Sequence, residues 1–228
     1  MQLFHQFINL LFPQTCNACS EVLLKSEKIL CTTCLLHLPK ANIGFSNSQN
    51  LENRFIGKVE IKGAYSFLKY SKGGKVQNLL HNLKYKNRQE AGIFLGKLFG
   101  NQLINDGNLP KIDLLIAIPL HERKLLTRGF NQSDLIADGL SEVLNVPHET
   151  KAISRQKATE TQTNKSRIDR FFNVENVFQI ENKEIIKDKS IGLVDDVLTT
   201  GATMEVCATT LLKGGAKEVT ILSLAAAI

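Results

Sequence analysis

The 228-residue sequence predicts an α/β protein, a mostly parallel sheet flanked by helices, with a small cysteine-bearing element at its N-terminus. Three observations carry this expectation. From Val59 onward, strand-like apolar runs alternate with stretches of helical periodicity. One run, Asp113-Leu-Leu-Ile-Ala-Ile-Pro119, is continuously apolar, as a strand covered on both faces must be. Four of the five cysteines fall into two C-x-x-C pairs near the N-terminus. A hydrophobic content of 43% with 22% charged residues excludes a disordered chain and leaves enough apolar surface for a real core. The net charge of +6 suits anionic ligands.

Met1 to Phe12 reads as a short amphipathic helix with Leu3, Phe4, Phe7, Ile8 and Leu11 toward a core, stopped by Pro13. It has no cationic leader or small-residue cleavage site, and it is far shorter than the ~20 residues a bilayer span needs. The expectation is a cytoplasmic protein without membrane insertion. Residues 1–45 form the cysteine-bearing element, polar Ala41 to Asn53 a linker or loop, and residues 54–228 the α/β domain. Val59 to Tyr70 predicts one or two strands, and Lys75 to Tyr85 and Arg88 to Ile104 predict helices. After the strand ending at Pro119 comes a loop to Phe130, then a helix from Gln132 to Leu144. Ser154 to Asn173 is polar and irregular, a length of loop usually functional or mobile. Val174 to Ile180 and Ile191 to Val194 predict strands, with a turn after the second. A helix from Gly201 to Lys213 stops at Gly214-Gly215, and a strand from Glu218 to Leu224 follows.

Cys16 and Cys19 pair with Cys31 and Cys34 across eleven residues, the spacing of a tetrahedral thiolate Zn2+ site. Redox-active C-x-x-C motifs or plain buried thiols are the alternative. Four sulfurs leave no vacancy for water, so the zinc would be structural, replacing a core this short segment cannot build. His37 reads as solvated and Cys207 as a small buried side chain.

The chemistry concentrates in Ile191-Gly-Leu-Val-Asp195-Asp196-Val-Leu-Thr199-Thr200-Gly201-Ala202-Thr203. Ligands of open α/β sheets sit at the carboxyl ends of strands. Thr199, Thr200, Gly201, Ala202 and Thr203 offer backbone N–H groups and hydroxyls to a phosphate at a helix N-terminus. Asp195 and Asp196 would repel that phosphate but can accept bonds from the hydroxyls of an attached ribose. A helix cap with threonines merely filling a loop is the alternative. The segment is similar to the ribose-phosphate motif of type I phosphoribosyltransferases, which implies phosphoribosyl pyrophosphate with Mg2+ as the ligand and Asp195 and Asp196 as catalytic residues.

Arg128-Gly-Phe-Asn-Gln132 resembles the signature of the ComF family of competence-related proteins. So does Arg155 to Phe178, through Thr161-Gln162-Thr163, Ser166-Arg167, Arg170, Asn173-Val174 and Phe178; the paired cysteines match as well. Asn164-Lys165 departs from that pattern, where a glycine and an apolar residue are expected. The resemblance implies a zinc ribbon-like element and a type I phosphoribosyltransferase-like domain. It makes Pro119 to Phe130 the pyrophosphate-side loop and Ser154 to Asn173 a flexible loop over the ligand. Arg123, Lys124 and Arg128 in the first loop, and Lys157, Arg167 and Arg170 in the second, are the candidate anion contacts; a solvated basic loop is their alternative. The chain begins Met1-Gln2-Leu3, without the catalytic cysteine a glutamine-dependent amidotransferase requires. The family likeness also implies a role in natural competence and DNA uptake. Arg54 to Arg88 is basic and tyrosine-bearing, so Lys69, Lys72, Lys75, Lys84 and Lys86 are candidate contacts to single-stranded DNA. The zinc head could dock a protein partner such as a DNA-uptake helicase.

Overall fold

The computed structural model describes residues 13–41, 49–85, 89–107, 109–156 and 177–227. The chain runs through α1 (Thr32–Leu36), α2 (Gln49–Glu52), β1 (Gly63–Tyr70), α3 (Lys75–Tyr85), α4 (Gln89–Asp106), β2 (Leu114–Ala117) and α5 (Glu122–Arg128). It continues with α6 (Gln132–Leu144), β3 (Ile153–Arg155), β4 (Phe178–Ile180), α7 (Lys183–Ile186), β5 (Ser190–Leu198), α8 (Ala202–Lys213) and β6 (Glu218–Ala227). Strands β1, β6, β5 and β2, in that order, form one parallel sheet, and β3 pairs antiparallel with β4. Both sheet faces are covered, so the middles of the strands are mostly apolar. Leu68, Leu115, Val194 and Leu222 pack toward α3, α4 and α6. Ile116, Leu193 and Ile221 pack with Met204, Cys207 and Leu211 of α8. The parallel sheet flanked by helices is the predicted architecture.

Helix α6 is fixed by close approach to α4. A Cβ on Gly96 would stand 2.2 Å from the Ile136 carbonyl oxygen, and one on Gly139 would stand 2.2 Å from that of Ile93. Backbones this close admit no side chain between them, which sets the position of the α6 N-terminus over the sheet edge.

The N-terminal element packs on the domain and does not hang from it. Lys40 pairs with Leu68 at the outer edge of β1, and Ala41 N–H bonds the Phe67 carbonyl at 2.9 Å. Two amides of α3 reach back to the cysteine knuckle: Asn78 Nδ2 to the Ala18 carbonyl at 3.3 Å and Asn82 Nδ2 to that of Asn17 at 2.8 Å.

Several sequence expectations need correction. The stretch from Pro119 to Phe130 is not all loop. It holds α5, capped by His121, whose Nδ1 accepts from Arg123 N–H, and ended by left-handed Gly129. Strand β5 continues to Leu198, so Asp195 and Asp196 lie within it. Strand β6 runs past Leu224 to Ala227, Ser154 belongs to β3, and the linker holds α2. Residues 1–12, 42–48, 86–88 and 157–176, with Lys86, Lys157, Arg167 and Arg170, lie outside the described residues.

Candidate anion site and metal centre

Parallel strands end at a common edge, and at that edge β5 delivers its acids. Successive side chains leave a strand on opposite sides, so Asp195 and Asp196 meet different partners. Asp195 Oδ1 accepts from Ser133 Oγ of α6 at 2.9 Å and from the Asp196 N–H at 2.9 Å. Burial, then the Asp196 carboxylate beside it, raise Asp195 from 3.8 to about 7, against those two bonds, which favour its charged form. Asp196 Oδ2 holds Lys84 Nζ of α3 at 2.6 Å, with the two side chains only 14% and 26% exposed.

Past Leu198 the chain turns through exposed Thr199 and Thr200 into Gly201 at φ +85°, where a Cβ would crowd the Phe55 ring at 3.3 Å. A residue other than glycine is strained there. Gly201 gives α8 no side-chain cap, so the first N–H groups of the helix face the turn. Residues Asp195, Thr199 to Thr203 and Met204 line a depression of about 40 Å³ at this point. Arg54 braces the turn from behind, donating to the carbonyl of Leu198 at 3.0 Å and to those of Thr199 and Ala227.

The Arg128 to Gln132 segment joins the end of α5 to the acids. Gly129 ends α5 in the left-handed region. Asn131 caps α6 by accepting from Ser133 N–H, and its Nδ2 donates to the Ile118 carbonyl at 3.0 Å at the end of β2. Gln132 Oε1 accepts from Arg128 at 2.7 Å, so Arg128 is half-buried while Arg123 and Lys124 are exposed.

Of the predicted site residues, the structure gathers Asp195, Asp196 and Thr199 to Thr203 at one turn. Lys69, Lys72 and Lys75 lie exposed at the end of β1 and just beyond it. Lys84, expected on that basic surface, is instead turned to Asp196. Sequence reasoning missed Arg54 and Ser133. Ser133 carried one signal, its place just inside a helix that Asn131 announces.

The four cysteine sulfurs lie within 4.8 Å of one another. A tetrahedral zinc at ~2.3 Å from each sulfur requires sulfurs about 3.8 Å apart, and Cys19 and Cys31 stand 3.7 Å apart. Backbone N–H groups of Cys31 and Cys34 point at Cys16 Sγ (3.3 Å) and Cys31 Sγ (3.4 Å), the knuckle geometry that stabilises thiolates. Burial pushes the Cys16 thiol up, but the N–H groups of Cys31, Cys19 and Ala18 bring it down to about 7. The cluster is compatible with structural zinc. His37 bonds the Thr33 carbonyl and stays exposed, away from the sulfurs. Cys207 is fully buried, and burial raises its thiol.

Residues 125–228 match the family described as phosphoribosyl transferase domain. The DNA utilization protein YhgH of Escherichia coli O157:H7 is 36% identical over 146 residues, 63% of each chain. Competence protein F of Haemophilus influenzae is 35% identical over 116 residues, 50% of this chain and 51% of the other. Over these stretches the chain is similar to proteins named for DNA utilization and for competence. It spans just under two thirds of the YhgH chain it matches. Among solved structures, the glutamine phosphoribosylpyrophosphate amidotransferase from B. subtilis is 20% identical, with a TM-score of 0.44 over 59% of this chain and 26% of that one. The residues matched to the phosphoribosyl transferase domain contain the end of α5, α6, β5, the Thr199 to Thr203 turn and α8, the elements that build the anion site. Among the described residues, no helix is long and apolar enough to cross a membrane.

Proposed function

We propose that this ComF-type protein binds phosphoribosyl pyrophosphate at the end of β5 and transfers or senses its phosphoribosyl group. The observation that carries the reading is the sequence of groups along one edge. Two carboxylates are followed by a hydroxyl-bearing turn, a left-handed Gly201 and the uncapped N-terminus of α8. The 5-phosphate takes the N–H groups and hydroxyls of Thr199 to Thr203, with the helix dipole behind it. Asp195 and Asp196 accept the ribose hydroxyls. In transfer, a nucleophile bonds to C1 as the C1–oxygen bond breaks and pyrophosphate leaves; the carboxylates then stabilise positive charge growing on the ring. Their hard oxygen donors suit Mg2+ carried in by the pyrophosphate, whereas the cysteine cluster suits zinc. Arg123, Lys124 and Arg128 supply positive charge on the pyrophosphate side, and Lys157, Arg167 and Arg170, which lie in sequence between β3 and β4, are further candidate anion contacts.

The test is calorimetric titration of phosphoribosyl pyrophosphate with Mg2+ into zinc-loaded wild type and the Asp195→Asn/Asp196→Asn variant. Binding by the wild type that the double variant loses supports the pocket. A folded wild type that does not bind refutes it.

A second reading is favoured by the position of Lys69, Lys72 and Lys75. They sit exposed at the end of β1, at the same sheet edge as the turn: Lys69 is in register with Ala226, and Ala226 with Leu198. They would track a single-strand backbone beside the pocket, in keeping with a role in DNA uptake and with docking of a DNA-uptake helicase on the zinc head. Retention on single-stranded DNA that falls with salt and with charge reversal at these lysines supports this. Unchanged retention after the reversal removes it.

A further inference from the structure

The two carboxylates at the end of β5 are held in different ways. Asp195 is fastened by the scaffold, through a short hydroxyl on α6 and its neighbour's N–H. Among the described residues, the Asp196 carboxylate is held by the end of a long side chain from another helix, the ammonium of Lys84 at 2.6 Å. An ammonium carries three N–H donors, of which Asp196 Oδ2 takes one, and its flexible four-carbon stem lets it follow a ligand. Asp196 Oδ1 remains for a sugar hydroxyl.

The chemistry of the ligand decides what the other donors meet. With the 5-phosphate at the Thr199 to Thr203 turn and the ring hydroxyls at the acids, the C1 substituent extends past the acids, away from the turn. Two carboxylates facing that anionic substituent repel it unless a cation stands between them. Among the described residues, Lys84 is the cation in an ion pair with the acid pair.

We infer that Lys84 is a pyrophosphate-recognition residue. In the free protein it neutralises Asp196; in the complex it bridges Asp196 to the pyrophosphate and so favours the activated sugar over the same sugar without its leaving group. This rests on the proposed pocket and assigns it a specificity element that the basic stretch of sequence disguised.

The experiment compares two probes, phosphoribosyl pyrophosphate and ribose 5-phosphate, each with Mg2+. They are titrated into zinc-loaded wild type, Lys84→Gln and Lys84→Arg, with zinc content and unfolding midpoint measured to confirm the fold. Lys84→Gln should weaken phosphoribosyl pyrophosphate about 10- to 100-fold, the equivalent of one charge-assisted hydrogen bond. It should change ribose 5-phosphate by less than about threefold, and Lys84→Arg should recover most of the loss because it restores the charge. A merely structural lysine would weaken both probes alike. Equal losses, or no loss, would overturn the inference and leave the pocket standing. A wild type that binds neither probe would overturn both.

Discussion

Replacing Asp195 by asparagine should make the ligand-free protein more stable at neutral pH while removing its ligand. The carboxyl is raised from 3.8 to about 7, first by burial and then by Asp196. At about 1.4 kcal/mol per pH unit, that displacement corresponds to ~4 kcal/mol of native-state cost once the group is ionised. Partial exposure and solvent screening reduce this to about 2 kcal/mol. The sign follows from proton binding. Between pH 4 and 7 the folded protein holds the Asp195 proton more tightly than the unfolded chain does. The stability this proton provides is therefore fully present below pH 4 and is lost as pH rises through 7. Asparagine does not titrate, and its side-chain oxygen still accepts from Ser133 Oγ and the Asp196 N–H. The advantage of Asp195→Asn over wild type should thus be near zero at pH 4, reach about half its full size by pH 5.5, and level off at about 2 kcal/mol above pH 7. Urea unfolding of both zinc-loaded proteins across this range measures it, and any pH effect on the cysteines cancels in the difference. A variant less stable than wild type at pH 8, or a difference that ignores pH, would refute the reasoning. The carboxyl would then be carried at no cost to the fold.

Zinc removal by chelation, or Cys31→Ser, should unfold the N-terminal element and cost about 3 kcal/mol or more, lowering the unfolding midpoint by about 6–12 °C; elemental analysis alongside a thermal melt checks both. Gly201→Ala should cost about 1–2 kcal/mol through its positive φ and weaken phosphoribosyl pyrophosphate at least about tenfold, with zinc content unchanged, as calorimetry on a zinc-loaded sample would read.

What the sequence disclosed, it disclosed through local spacing. The cysteine pairs and the Asp195 to Thr203 segment are each contiguous chemistry, so neighbours along the chain are neighbours in space. The supporting contacts are not. Arg54 reaches the carbonyl of Leu198, Ser133 reaches Asp195 and Lys84 reaches Asp196, and no periodicity along the chain encodes such meetings. Helix α5 was hidden for another reason. None of its residues is buried, and Leu125 and Leu126 are exposed, so it has no apolar stripe to signal a helix. Strand β5 was cut short because acids are poor strand formers; eight backbone pairings with β6 override that preference. Lys84 shows the hazard of reading charge as surface, since its net sign gave no hint of the acid waiting for it across the fold.

Helix α3 has two obligations. Asn78 and Asn82, one turn apart, grip the cysteine knuckle. Lys84 follows Asn82 by two residues, about 200° further round the helix, and so points the opposite way, to Asp196. The same rod of about 16 Å thus has the cysteine cluster for its anchorage and the proposed sugar-phosphate pocket for its load. A sample short of zinc would then be a mixture of anchored and unanchored molecules. In a titration such a mixture gives fewer sites per chain at undiminished affinity, where a damaged pocket gives full occupancy at weaker affinity. The number of sites, more than the strength of binding, is where metal content will register.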